Sequence, residues 1–119
     1  MAINLVVAII RESRLKAVVA KLYEHSIPGV TVTAVRGYGE HVNVYSQDIT
    51  EENVRVEVFV AETFAQHVVD LIMKTAHTGL RGDGVVAVLP VDSMYQNRDF
   101  TQLKDHQLMP GSNETERST

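Results

Sequence analysis

Apolar residues at the start of the chain form first a continuous run and then a helical stripe. The segment Asn4 to Ile10 is almost wholly apolar and rich in β-branched residues, which predicts a buried strand. From Ser13, a candidate N-cap, to about His25, the apolar residues recur at spacings of three and four, as on one face of a helix. The stripe consists of Leu15, Val18, Val19 and Leu22. A Pro-Gly pair at 28–29 then ends the helix.

A second strand and a long polar segment follow. Residues Thr31 to Val35 are mostly β-branched, which predicts a strand closed by Gly37-Tyr38-Gly39. Residues 40–53 are polar and have no regular period, so we expect a long loop there. Loops of that length inside a compact domain are usually functional or disordered. This one is therefore a candidate for function.

The second half of the chain repeats this layout. Valines at alternate positions from Val54 to Val60 predict a strand with one better-buried face. Thr63 and Gln66 fit a capping box at the start of a second helix, and Gly79 lies just past its end. The apolar stripe of that helix consists of Phe64, Val68, Leu71 and Ile72. A last apolar run, Val85 to Leu89, predicts a fourth strand.

The predicted order of elements is βαββαβ, with two halves of matching layout. Such a split repeat is typical of the ferredoxin-like α+β fold, in which a four-stranded antiparallel sheet carries both helices on one face. We expect this domain to occupy residues 1–100. Residues 101–119 form a polar C-terminal tail, which we expect to be mobile.

The composition excludes several classes of protein. The chain has 119 residues, 45% of them hydrophobic, which suffices for one domain, and it has no cysteine for disulfides or thiolate chemistry. Its net charge of −4 argues against non-specific nucleic-acid binding. The apolar N-terminal run is shorter than the roughly 20 residues of a membrane span and lacks a signal-peptide pattern. We therefore expect a cytoplasmic protein that does not insert into a membrane.

Histidines are the remaining candidate metal ligands, and their spacing does not predict a site. No two of them have the close spacing on one helix that common zinc motifs require. They are His25, His41, His67, His77 and His106. No metal site is predicted.

The segment Thr78-Gly79-Leu80-Arg81-Gly82-Asp83-Gly84 carries the most chemical information. Its three glycines expose backbone N–H groups and permit positive φ, which suits close approach to a phosphate chain. It is neither a Walker loop nor the dinucleotide fingerprint. Spacing alone leaves open a second interpretation, a helix C-cap joined to a tight turn.

This segment resembles a signature of the PII signalling family: Ser or Thr, three residues, then Gly-Asp-Gly leading into a strand. The first half is similar to the family at Ala8 to Arg11, at Gly29 to Thr33 and at Val35 to Gly39. The resemblance covers about residues 3–98 outside the long loop. The chain is therefore identified as a divergent PII-like member, with residues 40–53 as a shortened form of the family's T-loop.

The resemblance implies a homotrimer that binds ATP, ADP or AMP in clefts between subunits. It also implies that the T-loop docks on a target transporter or enzyme, in nitrogen or carbon metabolism. Around the base and ribose it places Ile9, Thr31, Gly37, Tyr38, Gly39 and Phe59. Around the phosphates it places Thr78, Gly79, Leu80, Arg81, Gly82, Asp83 and Gly84, with Arg98 from the adjacent subunit.

Departures from the family pattern change the expected ligand. Val85 replaces a basic residue after Gly-Asp-Gly, and Gln96 replaces one of two arginines near the end of the fold. Because each charge-assisted hydrogen bond contributes roughly 1.5–3 kcal/mol, we expect ADP or AMP to be preferred over ATP. His41 and Asn53 stand where members that sense 2-oxoglutarate have Gln and Lys, so 2-oxoglutarate is a doubtful ligand.

Two alternatives remain open. Arg36, His41 and Arg98 could bind a small anion such as bicarbonate, as the resemblance to variant PII-like proteins of carboxysomes and carbon uptake implies. A small nucleotide-processing enzyme or a metal-tolerance trimer would share the fold. No Ser/His/Asp grouping or paired carboxylates can be placed beside the glycine loop, so no catalytic residue is predicted. A metal sensor would need no phosphate cradle.

Overall fold

The computed structural model describes residues 2–112. Six strands and two α-helices follow in the order β1 (Ile3–Ile10), α1 (Glu12–Glu24), β2 (Thr31–Gly37), β3 (Glu51–Ala61), α2 (Glu62–Ala76), β4 (Val85–Val91), β5 (Tyr95–Gln96) and β6 (Thr101–Gln102). A short 3₁₀ helix occupies Asp105–Leu108. Neither α-helix in this part of the chain is long and apolar enough to cross a bilayer.

The four long strands form one antiparallel sheet in the order β2-β3-β1-β4. β1 lies in the middle, where Val6 is opposite Val58 of β3 on one side and Val88 of β4 on the other. This confirms the predicted ferredoxin-like arrangement. The nearly continuous apolar run of β1 fits its place between two strands, because such a strand has no solvent-facing edge.

The core lies between one face of the sheet and the two helices. Alternate residues of the central strands point into it, as the period of two requires. The fully buried side chains include Val6, Ala8, Val56, Val58, Val60, Leu22, Val68 and Ile72. The opposite face carries Leu5, Val7 and Ile9, which are only half-buried. One face of the sheet therefore remains largely open.

The predicted helix starts are wrong. α1 begins at Glu12 and α2 at Glu62, so Ser13 and Thr63 lie inside the first turn, and neither helix has a side-chain cap. In both cases the preceding strand ends within one residue of the helix. The strand direction thus fixes the first turn, and the acidic residue there interacts favourably with the helix dipole.

The chain beyond Thr101 is packed rather than loose as far as it is described. β5 and β6 form a hairpin, and the Leu108 side chain that follows is 8% exposed. The Gly111 backbone N–H donates to the Ser26 carbonyl oxygen at 2.6 Å. The predicted mobility is therefore wrong for residues 101–112, because Leu108 supplies an apolar anchor within a polar sequence. Residues 113–119 lie outside the described part.

Candidate functional site

The glycine loop connects the end of α2 to β4 and bends through three left-handed glycines. Gly79, Gly82 and Gly84 have φ values of +87°, +98° and +96°. A Cβ on Gly84 would lie 1.7 Å from the Ile9 carbonyl oxygen of the adjacent strand. Only glycine permits both this φ and this close approach. The glycine pattern is thus required by the backbone path that brings the loop against β1.

Asp83 holds the loop together from inside. Its carboxylate accepts the backbone N–H groups of Thr78 at 2.8 Å and Gly79 at 2.9 Å, together with the Thr78 hydroxyl. The Thr78 hydroxyl and backbone N–H hold the pKa of Asp83 well below its usual range, with smaller contributions from Gly79 and Arg11. Asp83 therefore stays ionised, and its carboxylate is engaged by hydrogen bonds from within the loop.

Arg11 joins the loop to the start of α1. Its Nε lies 3.1 Å from Asp83 Oδ1, and its Nη2 donates to the Arg81 carbonyl oxygen at 2.6 Å. Sequence reasoning did not assign Arg11 to the site, although it lies in the matched segment Ala8 to Arg11. Its position directly after β1, which pairs with β4 beyond the glycine loop, is the signal that would have found it.

A cavity of about 420 Å³ lies between the glycine loop and the chain that follows β2. It brings together eight of the predicted site residues: Ile9, Arg36, Gly37, Tyr38, Gly39, His41, Gly82 and Gly84. Val85, Glu40, Glu51 and Asn53 also line it. The β1–β4 pairing explains why residues of these distant segments lie together, because it sets Ile9 opposite Val85. The cavity thus has a backbone-rich side and an apolar side.

Acidic side chains contact both basic residues of this cavity, Arg36 and His41. His41 Nδ1 lies 2.8 Å from a Glu51 carboxylate oxygen. Arg36 lies 3.0 Å from Asp48 and 3.2 Å from Glu52. Glu40 was not predicted, and its carboxylate accepts the Gly82 backbone N–H at 3.2 Å. Arg36 and His41 thus already have carboxylate partners, and one N–H of the glycine loop already binds an anionic group.

The remaining predicted residues lie elsewhere in the chain. Thr31 and Phe59 line a second cavity of about 320 Å³, near Gln96 and the 3₁₀ helix. Arg98 lies between β5 and β6, where it is largely exposed and 3.9 Å from the Asp99 carboxylate. Leu80 and Arg81 are exposed on the glycine loop. A single described chain therefore divides the predicted site between two cavities.

Comparison with known sequences gives one consistent family. The family model described as nitrogen regulatory protein P-II matches residues 3–100. Nitrogen regulatory protein GlnK2 of Haloferax mediterranei is 43% identical over 103 residues, covering 81% of this chain and 84% of the relative. Nitrogen regulatory protein P-II of Azospirillum brasilense is 32% identical over 98 residues, covering 76% of this chain and 88% of the relative.

Comparison with solved structures agrees. The crystal structure of Arabidopsis thaliana PII bound to citrate matches with a TM-score of 0.76 and 33% sequence identity. The match covers 87% of this chain and 90% of that one. The shared fold extends over nearly the whole described chain.

Proposed function

The chain belongs to the nitrogen regulatory protein P-II family and is a regulator rather than an enzyme, and from this premise we propose that it senses adenine nucleotides at the glycine loop. The cavity between that loop and Gly37–His41 carries the proposal. Ile9, Tyr38 and the neighbouring glycines offer an apolar surface for the base. The loop offers backbone N–H groups for the phosphates.

The contact between Glu40 and Gly82 supports anion binding at this loop. A carboxylate oxygen lies 3.2 Å from the Gly82 N–H, at a point where a phosphate oxygen would make the same hydrogen bond. Asp83 does not compete for that N–H, because it binds the N–H groups of Thr78 and Gly79 instead. Phosphate binding would require Glu40 to move aside.

The complete site is assembled from two subunits of a homotrimer. The open face of the sheet exposes Val85 by 68% and Leu89 by 45%, an apolar surface that a further copy of the chain would cover. Thr31, Phe59 and Arg98 lie away from the first cavity in their own chain and would complete the neighbour's site.

The bound nucleotide is ADP or AMP in preference to ATP. Val85 and Gln96 supply no charge where the family has basic residues, and Glu40 adds a negative charge beside Gly82. Each further phosphate adds negative charge, which this site does not neutralise. The triphosphate is therefore disfavoured most.

The T-loop, predicted as residues 40–53 and followed in the structure by β3 from Glu51 onward, carries the signal to a target transporter or enzyme. Arg36 holds the base of this T-loop through Asp48 and Glu52, while Tyr45 near its middle is 98% exposed. A held base with an exposed aromatic side chain suits docking, because aromatic residues are enriched in interfaces. Because Glu40 and His41 belong to this loop and line the adjacent cavity, a ligand bound there would change the conformation of the loop.

A bicarbonate site is not favoured by this geometry. Arg36 and His41 share the cavity, but each lies against carboxylates, and Arg98 does not line it. The site therefore offers little unpaired positive charge to a small anion or to 2-oxoglutarate.

Thermal unfolding with ATP, ADP and AMP tests the proposed function. A ligand at 100 times its dissociation constant stabilises the folded state by about 2.7 kcal/mol, so ADP and AMP should raise the melting temperature clearly. Replacing Thr78 by Val removes the hydroxyl that binds Asp83 and should weaken ADP binding by about tenfold.

Thr75→Val is the matched control, because the Thr75 hydroxyl donates only to Leu71 within α2. It should leave ADP affinity unchanged. Absence of a melting shift with every adenine nucleotide would refute the proposal. A clearly larger shift with ATP than with ADP at equal concentration would refute the ligand preference alone.

A further inference from the structure

Two histidines face one another on the helical side of the molecule, away from the sheet face that the trimer would cover. His25 Nδ1 and His67 Nε2 lie 3.3 Å apart, and the ring centroids are 5.3 Å apart at an interplanar angle of 47°. Both residues are exposed. They are 42 positions apart in the sequence, so only the packing of the helices brings them together.

The backbone holds both residues in place. His25 is the C-cap of α1, and its backbone N–H donates to the Lys21 carbonyl oxygen at 3.1 Å. His67 precedes Val68, a fully buried residue of α2. α1 and α2 pack side by side on the sheet. The two rings are therefore neighbours because of the core, and ring rotation is the main freedom left to them.

The spacing of the two nitrogens matches the bite of a tetrahedral metal ion. Zinc binds histidine nitrogen at about 2.0–2.1 Å, and two such nitrogens at the tetrahedral angle lie about 3.3 Å apart. In a square-planar ion adjacent nitrogens would lie about 2.8–3.0 Å apart at the same bond length. The 3.3 Å separation is that of the hydrogen bond that joins the two rings in this structure, and it also fits the tetrahedral case.

We propose that His25 and His67 form a zinc-binding site that links the end of α1 to α2. Imidazole is a good ligand for this ion, and two water molecules would complete the tetrahedron. No cluster of three or more His, Asp or Glu side chains arranged to hold a metal occurs within residues 2–112. The site is thus open and exchangeable, unlike a four-ligand structural zinc site.

Calorimetric titration of ZnCl₂ into the full nucleotide-free chain tests the proposal, in a buffer that does not bind metal. The expected result is one zinc ion per chain. His25→Gln and His67→Gln should each weaken binding by at least about tenfold, since each removes one of only two protein ligands. The double variant should bind zinc as weakly as either single variant, within experimental error, because a single histidine no longer forms the site.

His106→Gln on the 3₁₀ helix is the matched control and should bind zinc like the unaltered chain. Co²⁺ gives a second readout, because the visible absorption of tetrahedral cobalt should appear with the unaltered chain and disappear with His67→Gln. Melting curves without metal show whether each variant is folded. The proposal fails if the unaltered chain does not bind zinc below millimolar concentration. It also fails if the double variant binds zinc with the same affinity as the unaltered chain. It fails equally if binding is lost with His41→Gln instead, which would place the ion beside Glu51 in the glycine-loop cavity.

Discussion

At the residue scale, Asp83 and Glu40 both contact the glycine loop but differ in role. Asp83 accepts N–H groups from within the loop and sets its shape. Glu40 comes from the neighbouring loop and accepts the N–H of Gly82, which faces the cavity. In the Gly-Asp-Gly motif, Asp83 therefore fixes the shape of the loop, and the glycines allow other groups to come close to its backbone.

Replacing Glu40 by Gln should strengthen nucleotide binding. The change removes a negative charge beside the proposed phosphate position while keeping a side chain of similar size, and we expect about a fivefold gain for ADP with a larger gain for ATP. Glu24→Gln is the control, because Glu24 pairs with Lys21 at the end of α1 and neither residue lines the cavity. Calorimetric titration measures both. Unchanged affinity in Glu40→Gln would show that Glu40 does not compete with phosphate.

Replacing Gly84 by Ala should destabilise the fold. The added Cβ would overlap the Ile9 carbonyl oxygen, and the φ of +96° is strained for any L-residue, so we expect a loss of at least about 2 kcal/mol in the free energy of unfolding. Urea denaturation measures this loss. Gly29→Ala should be harmless by comparison, since a Cβ there meets no atom within 4 Å. Equal midpoints for the two variants would contradict the steric argument.

At the scale of elements, the loop between β2 and β3, which is the proposed T-loop, is anchored at one end by its own acidic residue, Asp48. Asp48 accepts the Thr50 hydroxyl at 2.6 Å and the Thr50 N–H at 3.0 Å, and Arg36 Nε at 3.0 Å. Asn43 N–H also donates to the Ile49 carbonyl oxygen. The irregular chain between β2 and β3 is thus tied back to the end of β2, while Tyr45 remains exposed.

The titration of Asp48 tests this anchor. The Thr50 hydroxyl and backbone N–H, and then Arg36, lower the pKa of Asp48 to about 2. Since the folded value lies below the ordinary one of about 3.9, the anchor should be intact above that pH and be lost as the pH falls towards 2. Carbon-13 shifts of the carboxyl group follow the titration. Thr50→Val should raise the midpoint, and an unaltered chain that titrates near pH 4 would contradict the anchor.

At the scale of the whole molecule, the sheet has one face in the core and one face open. Helices α1 and α2 cover the first, and the second retains Val85 and Leu89 as exposed apolar residues. The predicted ligand contacts are divided between two cavities of the same chain. Both features fit the proposed trimer, in which neighbouring subunits would complete each site.

Replacing Leu89 by Glu should dissociate the proposed trimer. Leu89 is opposite Leu5 on the open face, and burying a charge there would cost more than the contact contributes. Met73→Glu is the control, because Met73 is exposed on α2 at the helical side. Sedimentation velocity should give a trimer for the unaltered chain and for Met73→Glu, and a smaller species for Leu89→Glu. An unaltered chain that sediments as a monomer would refute the trimer.

The sequence by itself determined the order of the elements and the loop that carries the chemistry. Alternation in β3, the apolar run of β1 and the helical stripes are local patterns, and each was sufficient because burial follows the period of its element. The glycines at 79, 82 and 84 were also readable, since positive φ is a property of the residue itself. Family membership followed from the same segments.

Only the tertiary structure decided which side chains meet across the fold. The pairing of Glu40 with Gly82, the place of Arg11 at Asp83 and the approach of His25 to His67 all join residues more than 40 positions apart. The sequence also did not predict the packed segment around Leu108 or the first helical turns after β1 and β3, because neighbouring elements fix them. Sequence periodicity predicts on which face of its element a side chain lies, and tertiary packing determines which residues that side chain contacts.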